Sequence, residues 1–509
     1  MATEEEHHLC HAWAAAGAVR GRRENAVTAF LGIPYAEPPV GAARFAGPRP
    51  AAPWNGVREA TSFGPPPPQS RLPGLSAPTT DPPGDDWLTV NVWTRTPDPD
   101  AALPVMVWFY GGAYLQGTAA QPDYDGARLA RENDVVVVTL NYRLGIEGFA
   151  QLDDAPADRG VLDAIAALEW VRQNIAAFGG DPARVTVFGQ SAGAGIVAAL
   201  LAAPRAAGLF RRAIVQSLPG TFLSRELASD VARVLCAELG HPPTAASLAR
   251  TDPRELATAL TPLLADWQRH RPRWGQLASG RTPFAPVVDG DVLPADPWQA
   301  LENGAARDVD LVVGHTRDEY RIFIALPGLL GRITDEQATQ ALRALGPGPD
   351  AEEAYRKAFP EADAGTLYEL VHSDALFRMP SLRLAEAQVA GGGRTFAYEF
   401  TWCAPGMGGV LGACHMADYP LVLGNTTAGL AQLLIGADSD DATEAFAARL
   451  RATWTAFAAT GDPGWPRFEP EQRPVQVLDT ECRVVPYPEE ASRRLWARQR
   501  FTALPLLAP

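Results

Sequence analysis

The sequence predicts an α/β fold with a mostly parallel central sheet, helices on both of its faces and helical lid insertions. Two observations carry that expectation. The first is a series of short runs almost continuous in apolar residues: "TVNVW" (89–93), "PVMVWFY" (104–110), "DVVVVTL" (134–140), "RVTVFG" (184–189), "RAIVQS" (212–217), "VDLVVG" (309–314) and "RTFAYEF" (394–400). A strand with one wet face alternates, whereas one covered on both faces does not, so these runs belong to a parallel sheet covered on both sides. The second is the segment between two such strands, "GVLDAIAALEWVRQNIAAFGGDP" (160–182), in which Leu162, Ile165, Leu168, Val171, Ile175 and Phe178 recur at helical spacing. Gly179 is placed to end that helix in a left-handed turn, and Asp181-Pro182 redirects the chain into the next strand. Strand, helix and strand in repetition put helices on both faces.

Residues 220–308 and 325–393 interrupt this alternation with helices and loops, among them "DEQATQALRALG" (335–346), and read as lids over the sheet rather than as separate domains. One domain over about 14–504 is expected, with residues 1–13 as a flexible N-terminus. The cluster His7, His8, Cys10 and His11 is read as part of that frayed end and not as a metal site. The proline-rich "TSFGPPPPQSRLPGLSAPTTDPPGDD" (61–86) is expected to be an extended surface loop.

Charge narrows the function classes. With 44 basic against 59 acidic residues the formal net charge is −15, which opposes association with nucleic acid or anionic lipid and favours neutral or cationic small molecules. "MATEEEHHLCHAWAAAGAVRG" carries three glutamates where a secretory signal would be basic, so no signal peptide is expected. The longest apolar stretch, around "IVAALLAAP", falls far short of a membrane span. The five cysteines are scattered and lack C-x-x-C spacing, which indicates neither a disulfide framework nor a zinc site, and buried free thiols are the default.

The stretch that carries chemistry is "VTVFGQSAGAG" (185–195), a strand followed at once by residues too small to fill a core. Gly189-Gln190-Ser191-Ala192-Gly193 is a G-x-S-x-G match in the strand, tight turn and helix setting that a nucleophile elbow requires. Neither a Walker lysine nor a G-x-G-x-x-G supports a nucleotide loop instead. A serine hydroxyl needs a base to take its proton and donors for its oxyanion product. The donors are expected at Tyr110-Gly111-Gly112-Ala113, where a strand ends in small residues: the amides of Gly112 and Ala113, joined by that of Ala192.

In such elbow enzymes the acid and then the histidine follow the serine in the chain. His415 lies in a glycine-bearing loop after the 394–400 strand and is the expected base. His372 falls in an apolar helical pattern and reads as packing, His241 and His270 lie in polar helical insertions, and His315 is too near the expected acid in sequence to reach Ser191 as well. For the acid, Asp318 and Glu319 both stand just beyond a buried strand, at the end where α/β proteins keep their sites.

Assembled, these parts resemble the type B carboxylesterase and lipase family of the α/β-hydrolase fold, a group that includes bacterial p-nitrobenzyl esterases and cholinesterases. The resemblance covers almost the whole chain and is carried by blocks in the family's order, including "FLGIPYAEPPVGAARF" (30–45), "DDWLTVNVW" (85–93), "VWFYGGAYLQG" (107–117), "VVVVTLNYRLGIEGF" (135–149), "FRRAIVQS" (210–217), "GHTRDEYRIF" (314–323) and "GACHMADYPLVLG" (412–424). It implies Ser191 as nucleophile, Glu319 rather than Asp318 as acid and His415 as base, with Gly112, Ala113 and Ala192 at the oxyanion positions. Arg143 with Asp181, and Arg44 with Asp85 or Asp86, fall where structural ion pairs are expected. Tyr114, Ile322 and Phe323 are expected to line the substrate pocket.

Four positions depart from the family pattern. Trp87 stands where family members often carry cysteine, so the N-terminal disulfide of secreted relatives is missing, in agreement with a reducing, cytoplasmic setting. Ala77 lies about where cholinesterases keep a cation-binding tryptophan, which argues against a choline ester. Tyr320 replaces a usual glycine and Asp418 a usual glutamate, and both bear on pocket shape. The expected function is a serine carboxylic-ester hydrolase for small to medium neutral esters, without cofactor or metal, acting as a monomer or homodimer. A thioesterase, a lipase, or a tailoring hydrolase or acyltransferase would use the same triad. A non-catalytic binding protein on this scaffold is disfavoured, because all three side chains are present.

Overall fold

The computed structural model describes residues 8–70, 84–280 and 282–507. The strands, in chain order, are β1 (His8–Ala14), β2 (Gly17–Glu24), β3 (Val27–Pro34), β4 (Val57–Glu59), β5 (Thr89–Thr94), β6 (Leu103–Phe109), β7 (Val136–Leu140), β8 (Gly180–Gln190), β9 (Arg212–Gln216), β10 (Leu223–Ser224), β11 (Val287–Val288), β12 (Asp310–Thr316), β13 (Thr395–Phe400), β14 (Pro474–Leu478) and β15 (Arg483–Pro486). Thirteen of them form one sheet in the order β1-β2-β3-β5-β7-β6-β8-β9-β12-β13-β14-β15, with β4 beside β2. The run β7-β6-β8-β9-β12-β13-β14 is parallel throughout, and antiparallel strands flank it on both sides. This is the mostly parallel sheet of an α/β-hydrolase fold.

The central strands are buried along their lengths, β5, β7 and β12 at every residue, as the unbroken apolar runs require. Helices Arg159–Asn174, Ala192–Ala202 and Asp441–Thr460 pack against this sheet. The first continues as a tighter turn over Ile175–Phe178 and stops at Gly179, whose φ of 86° is the left-handed conformation expected there. Among the described residues no helix is long and apolar enough to cross a membrane.

Three expectations are corrected. Residues 8–13 are not a frayed end: His8–Ala14 pairs antiparallel with Gly17–Glu24, a hairpin whose mixed polar sequence hid it; His7 lies outside the described residues. The described part of the proline-rich segment is not all surface. Ser70 is buried, its hydroxyl donates to the Ala257 carbonyl at 2.6 Å, and the Gly117 amide donates to Gln69 Oε1 at 2.9 Å, so the segment packs beside the site; Ala77 lies outside the described residues. Arg143 pairs with Asp163, not Asp181, and Arg44 pairs with Glu147, not Asp85 or Asp86. Asp85 and Asp86 instead meet Arg254 and Arg58, and Asp181 accepts from the Ala183 amide within its own turn.

Arg143 and Asp163 are both fully buried. The guanidinium donates to Asp163 Oδ2 at 2.8 Å and Oδ1 at 2.7 Å, and to the carbonyls of Arg44 and Ala46 at 3.1 and 2.7 Å. It thereby ties the N-terminal segment to helix Arg159–Asn174. Removing one partner of such a pair leaves a bare charge in a low-dielectric interior. Asp163→Ala is therefore expected to cost about 3–5 kcal/mol of stability, read as a lower urea midpoint than wild type; an unchanged midpoint refutes this account of the pair.

Candidate active site

Strand β8 ends at Gln190 and helix Ala192–Ala202 starts at the second residue after it, so Ser191 alone makes the turn. It takes φ 57° and ψ −126°, a conformation that side-chain-bearing residues rarely adopt. Two hydrogen bonds fix it: the Ser191 amide donates to the Gln216 carbonyl on β9 at 3.0 Å, and the Gly195 amide donates to the Ser191 carbonyl at 3.0 Å. A Cβ on Gly193 would lie 2.0 Å from the Phe109 carbonyl oxygen at the end of β6. Only glycine lets the helix sit this close to the strand mouth.

The facing loop leaves β6 through Gly112, whose φ is 118° and whose hypothetical Cβ would lie 2.0 Å from the Gln116 carbonyl oxygen. Ala113 and Tyr114 follow with φ of 57° and 60°. This tight coil and the first turn of helix Ala192–Ala202 border one cavity, in which Gly112, Ala113, Ala192, Ser191 and His415 all take part. First-turn amides have no acceptor inside their own helix, and the helix dipole adds positive potential at that end. A developing negative oxygen is favoured there.

His415 comes from the loop after β13 and is buried. Its Nδ1 lies 2.5 Å from Glu319 Oε2. The other carboxylate oxygen, Oε1, accepts from the Thr316 amide at 2.9 Å. Burial opposes ionisation of Glu319, but its interaction with His415, together with further hydrogen bonds that include the Thr316 amide, outweighs burial and holds the carboxyl below its usual range. Asp318 turns away. It accepts from the Ala413 amide at 2.9 Å and from Arg317 Nη2 at 2.9 Å, and so fastens the loop that carries His415.

With Nδ1–H directed at Glu319, Nε2 carries the imidazole's lone pair. Gln190 Nε2 stands 3.1 Å from it and donates into that lone pair in this arrangement. The ring of Phe377 lies against the imidazole with centroids 4.3 Å apart. Asp418, also buried, accepts from Gln216 Nε2 at 2.8 Å and from the Tyr398 hydroxyl at 3.0 Å. It thus holds the residue whose carbonyl anchors Ser191. Sequence reasoning missed Gln190, Gln216 and Phe377; for Gln190 the one available signal was its place beside Ser191.

The cavity has a volume of about 160 Å³, and none of its described lining side chains is an aspartate, glutamate, lysine or arginine. Tyr114 and Phe323 line it, as does Tyr320, but Ile322 does not: it is wholly buried in the core. In the short helix Arg321–Ala325 neighbouring residues point about 100° apart, and here Phe323 takes the cavity side and Ile322 the core side. The other histidines lie elsewhere. Burial and the charge of Arg378 push His315 down to about 4, and its Nε2 faces the Tyr487 hydroxyl. His241 bonds Ser247 and Thr251, His270 stacks on Trp274, and His372 Nδ1 donates to the Tyr368 carbonyl. Trp87 is core, fully buried. All five cysteines are free thiols, and Cys403 and Cys482 are exposed rather than buried.

The description of a known family matches residues 11–496: the carboxylesterase family. The chain is 37% identical over 492 residues to the para-nitrobenzyl esterase of Bacillus subtilis (strain 168), covering 94% of this chain and 96% of that protein. It is 34% identical to the phenmedipham hydrolase of Pseudarthrobacter oxydans, covering 92% and 94%. Among solved structures, a carboxylesterase of Geobacillus stearothermophilus superposes with a TM-score of 0.82 at 34% identity, covering 96% of this chain and 99% of that one. A likeness of sequence and of fold that runs nearly end to end in each case leaves one conclusion: the chain belongs to the carboxylesterase family.

Proposed function

We propose that this protein hydrolyses small to medium, uncharged carboxylic esters through an acyl-enzyme on Ser191. The observation that carries the reading is that Ser191 and His415 border one cavity while His415 Nδ1 stands 2.5 Å from the buried carboxylate of Glu319. An ester entering the cavity displaces the Gln190 amide from His415 Nε2. Ser191 Oγ then attacks the carbonyl carbon as its proton passes to Nε2, and the carbonyl electrons move onto oxygen beside the amides of Gly112, Ala113 and Ala192. Collapse breaks the carbon–oxygen bond to the alcohol, which leaves with the proton from Nε2. Water repeats the sequence: its proton goes to Nε2, its oxygen bonds the acyl carbon, and Ser191 departs with the proton, freeing the acid. Glu319 orients the ring and stabilises its charged form. The free state of all five cysteines supports a reducing, cytoplasmic setting.

Two measurements test this. An alkyl organophosphate should label the chain at Ser191 and abolish p-nitrophenyl acetate hydrolysis in step; labelling elsewhere with activity lost contradicts the assignment. The pH profile is the second. Because Glu319 is held below the usual carboxylate range, it stays ionised as the pH falls toward that range. The carboxylate should thus contribute no proton to the acid limb, and log kcat/KM should fall there with a slope no steeper than one. A slope of two, which needs a second group to titrate in step, counts against the ionised carboxylate.

A further inference from the structure

A second chamber of about 580 Å³ adjoins the reacting cavity, and Tyr320 and Gly280 border both. It lies between helices Asp335–Leu345 and Ala364–Ser373 on one side and the segment from Thr261 to Arg271 on the other. The reacting cavity, at about 160 Å³, is smaller than the roughly 300–1,000 Å³ in which a drug-sized ligand is buried. An ester of moderate length must therefore continue past its wall. Where the two spaces meet, one side is a glycine and the other an aromatic ring.

The chemistry of the chamber is distinct. Tyr320 stacks on His372 with centroids 4.1 Å apart, and His372 packs on Tyr368 at the same distance, giving a continuous aromatic wall. Gln268, Gln337 and Gln340 also line it; Gln337 Oε1 accepts from the Thr334 amide at 2.9 Å and Gln340 Nε2 donates to Glu336 at 3.2 Å, which leaves a donor on Gln337 and an acceptor on Gln340. Among the described lining residues two are ionised: Asp266 pairs with Arg269 at 3.2 Å, and Arg271 donates to the Gln340 carbonyl at 3.2 Å. Aromatic faces beside amide-bearing side chains suit a flat, uncharged group that can both stack and hydrogen-bond.

We propose that this chamber is a second compartment of the substrate site, which takes the distal, uncharged aryl-amide end of a long ester, with Tyr320 as the partition the substrate must pass. The inference rests on the acyl-enzyme reading above, and the test separates the two. Ala344 and Gln340, on helix Asp335–Leu345, line the chamber and not the reacting cavity; Gln340 is exposed, so a bulky side chain there fills space without disturbing the core, whereas Ala344 packs against the core and its variant is read only where its circular dichroism matches wild type. Turnover of p-nitrophenyl acetate and of p-nitrophenyl 6-benzamidohexanoate is compared in wild type, Ala344→Trp and Gln340→Trp. Both variants should raise KM for the long ester at least tenfold and leave the acetate ester, whose acyl group has no distal end to place in the chamber, within twofold. If the variants treat the two esters alike, or neither ester is affected, the compartment is not used and the proposal falls while acetate hydrolysis still supports the acyl-enzyme reading. If wild type does not hydrolyse acetate, that reading fails first and the compartment with it.

Discussion

Ser191→Ala is expected to lower kcat for p-nitrophenyl acetate by about 10⁴-fold or more while leaving the fold intact. The loss is large because no acyl-enzyme can form without Oγ, which leaves the amide donors and His415 to assist only a direct attack by water. The fold survives because Ser191 is only half-buried and its position is fixed by backbone bonds to Gln216 and Gly195, which alanine keeps. Unchanged circular dichroism with organophosphate labelling abolished is the accompanying signature. Turnover within tenfold of wild type sinks the nucleophile assignment.

Glu319→Gln is expected to cost about 10⁴ in kcat with little change in KM, although it alters one atom of a buried group. The reason lies in the second carboxylate oxygen. The Thr316 amide donates to Oε1, so a carboxamide must keep its oxygen there and turn its NH₂ toward His415 Nδ1. That forces the ring into the opposite tautomer, with the proton on Nε2, where it cannot receive one from Ser191. Steady-state kinetics, with the ring protons followed by NMR, reads both effects. A loss smaller than tenfold means the carboxylate does not set the tautomer.

The parallel core was legible because burial on both faces leaves no polar alternation, so strands such as β6 and β7 announce themselves as unbroken apolar runs. The elbow was legible because its constraints are local, a strand, a turn and a helix within eleven residues of chain at 185–195. What lay hidden depends on the third dimension. The hairpin β1–β2 mixes histidine, arginine and apolar residues along half-exposed edges. Asp163 looks like any polar residue on a helix until Arg143 is seen against it, and the choice between Ile322 and Phe323 turns on the direction of one short helix. Asp318 and Glu319 are neighbours with the same chemistry, so position alone left them open and only the family resemblance chose Glu319; in the fold Asp318 fastens the loop bearing His415 and Glu319 faces its ring.

The backbone of residue 191 has a consequence for what the strands around it must do. A residue in that region of conformational space costs about 1–3 kcal/mol relative to a relaxed one, and a short peptide of the same sequence would unbend. The neighbouring strands act as a mould: β6 crowds one side of the turn and β9 hooks the other. Reactivity at a single oxygen is thus a property of strands contributed from far apart in the chain, and loosening their grip would blunt the enzyme without touching any group that meets the substrate.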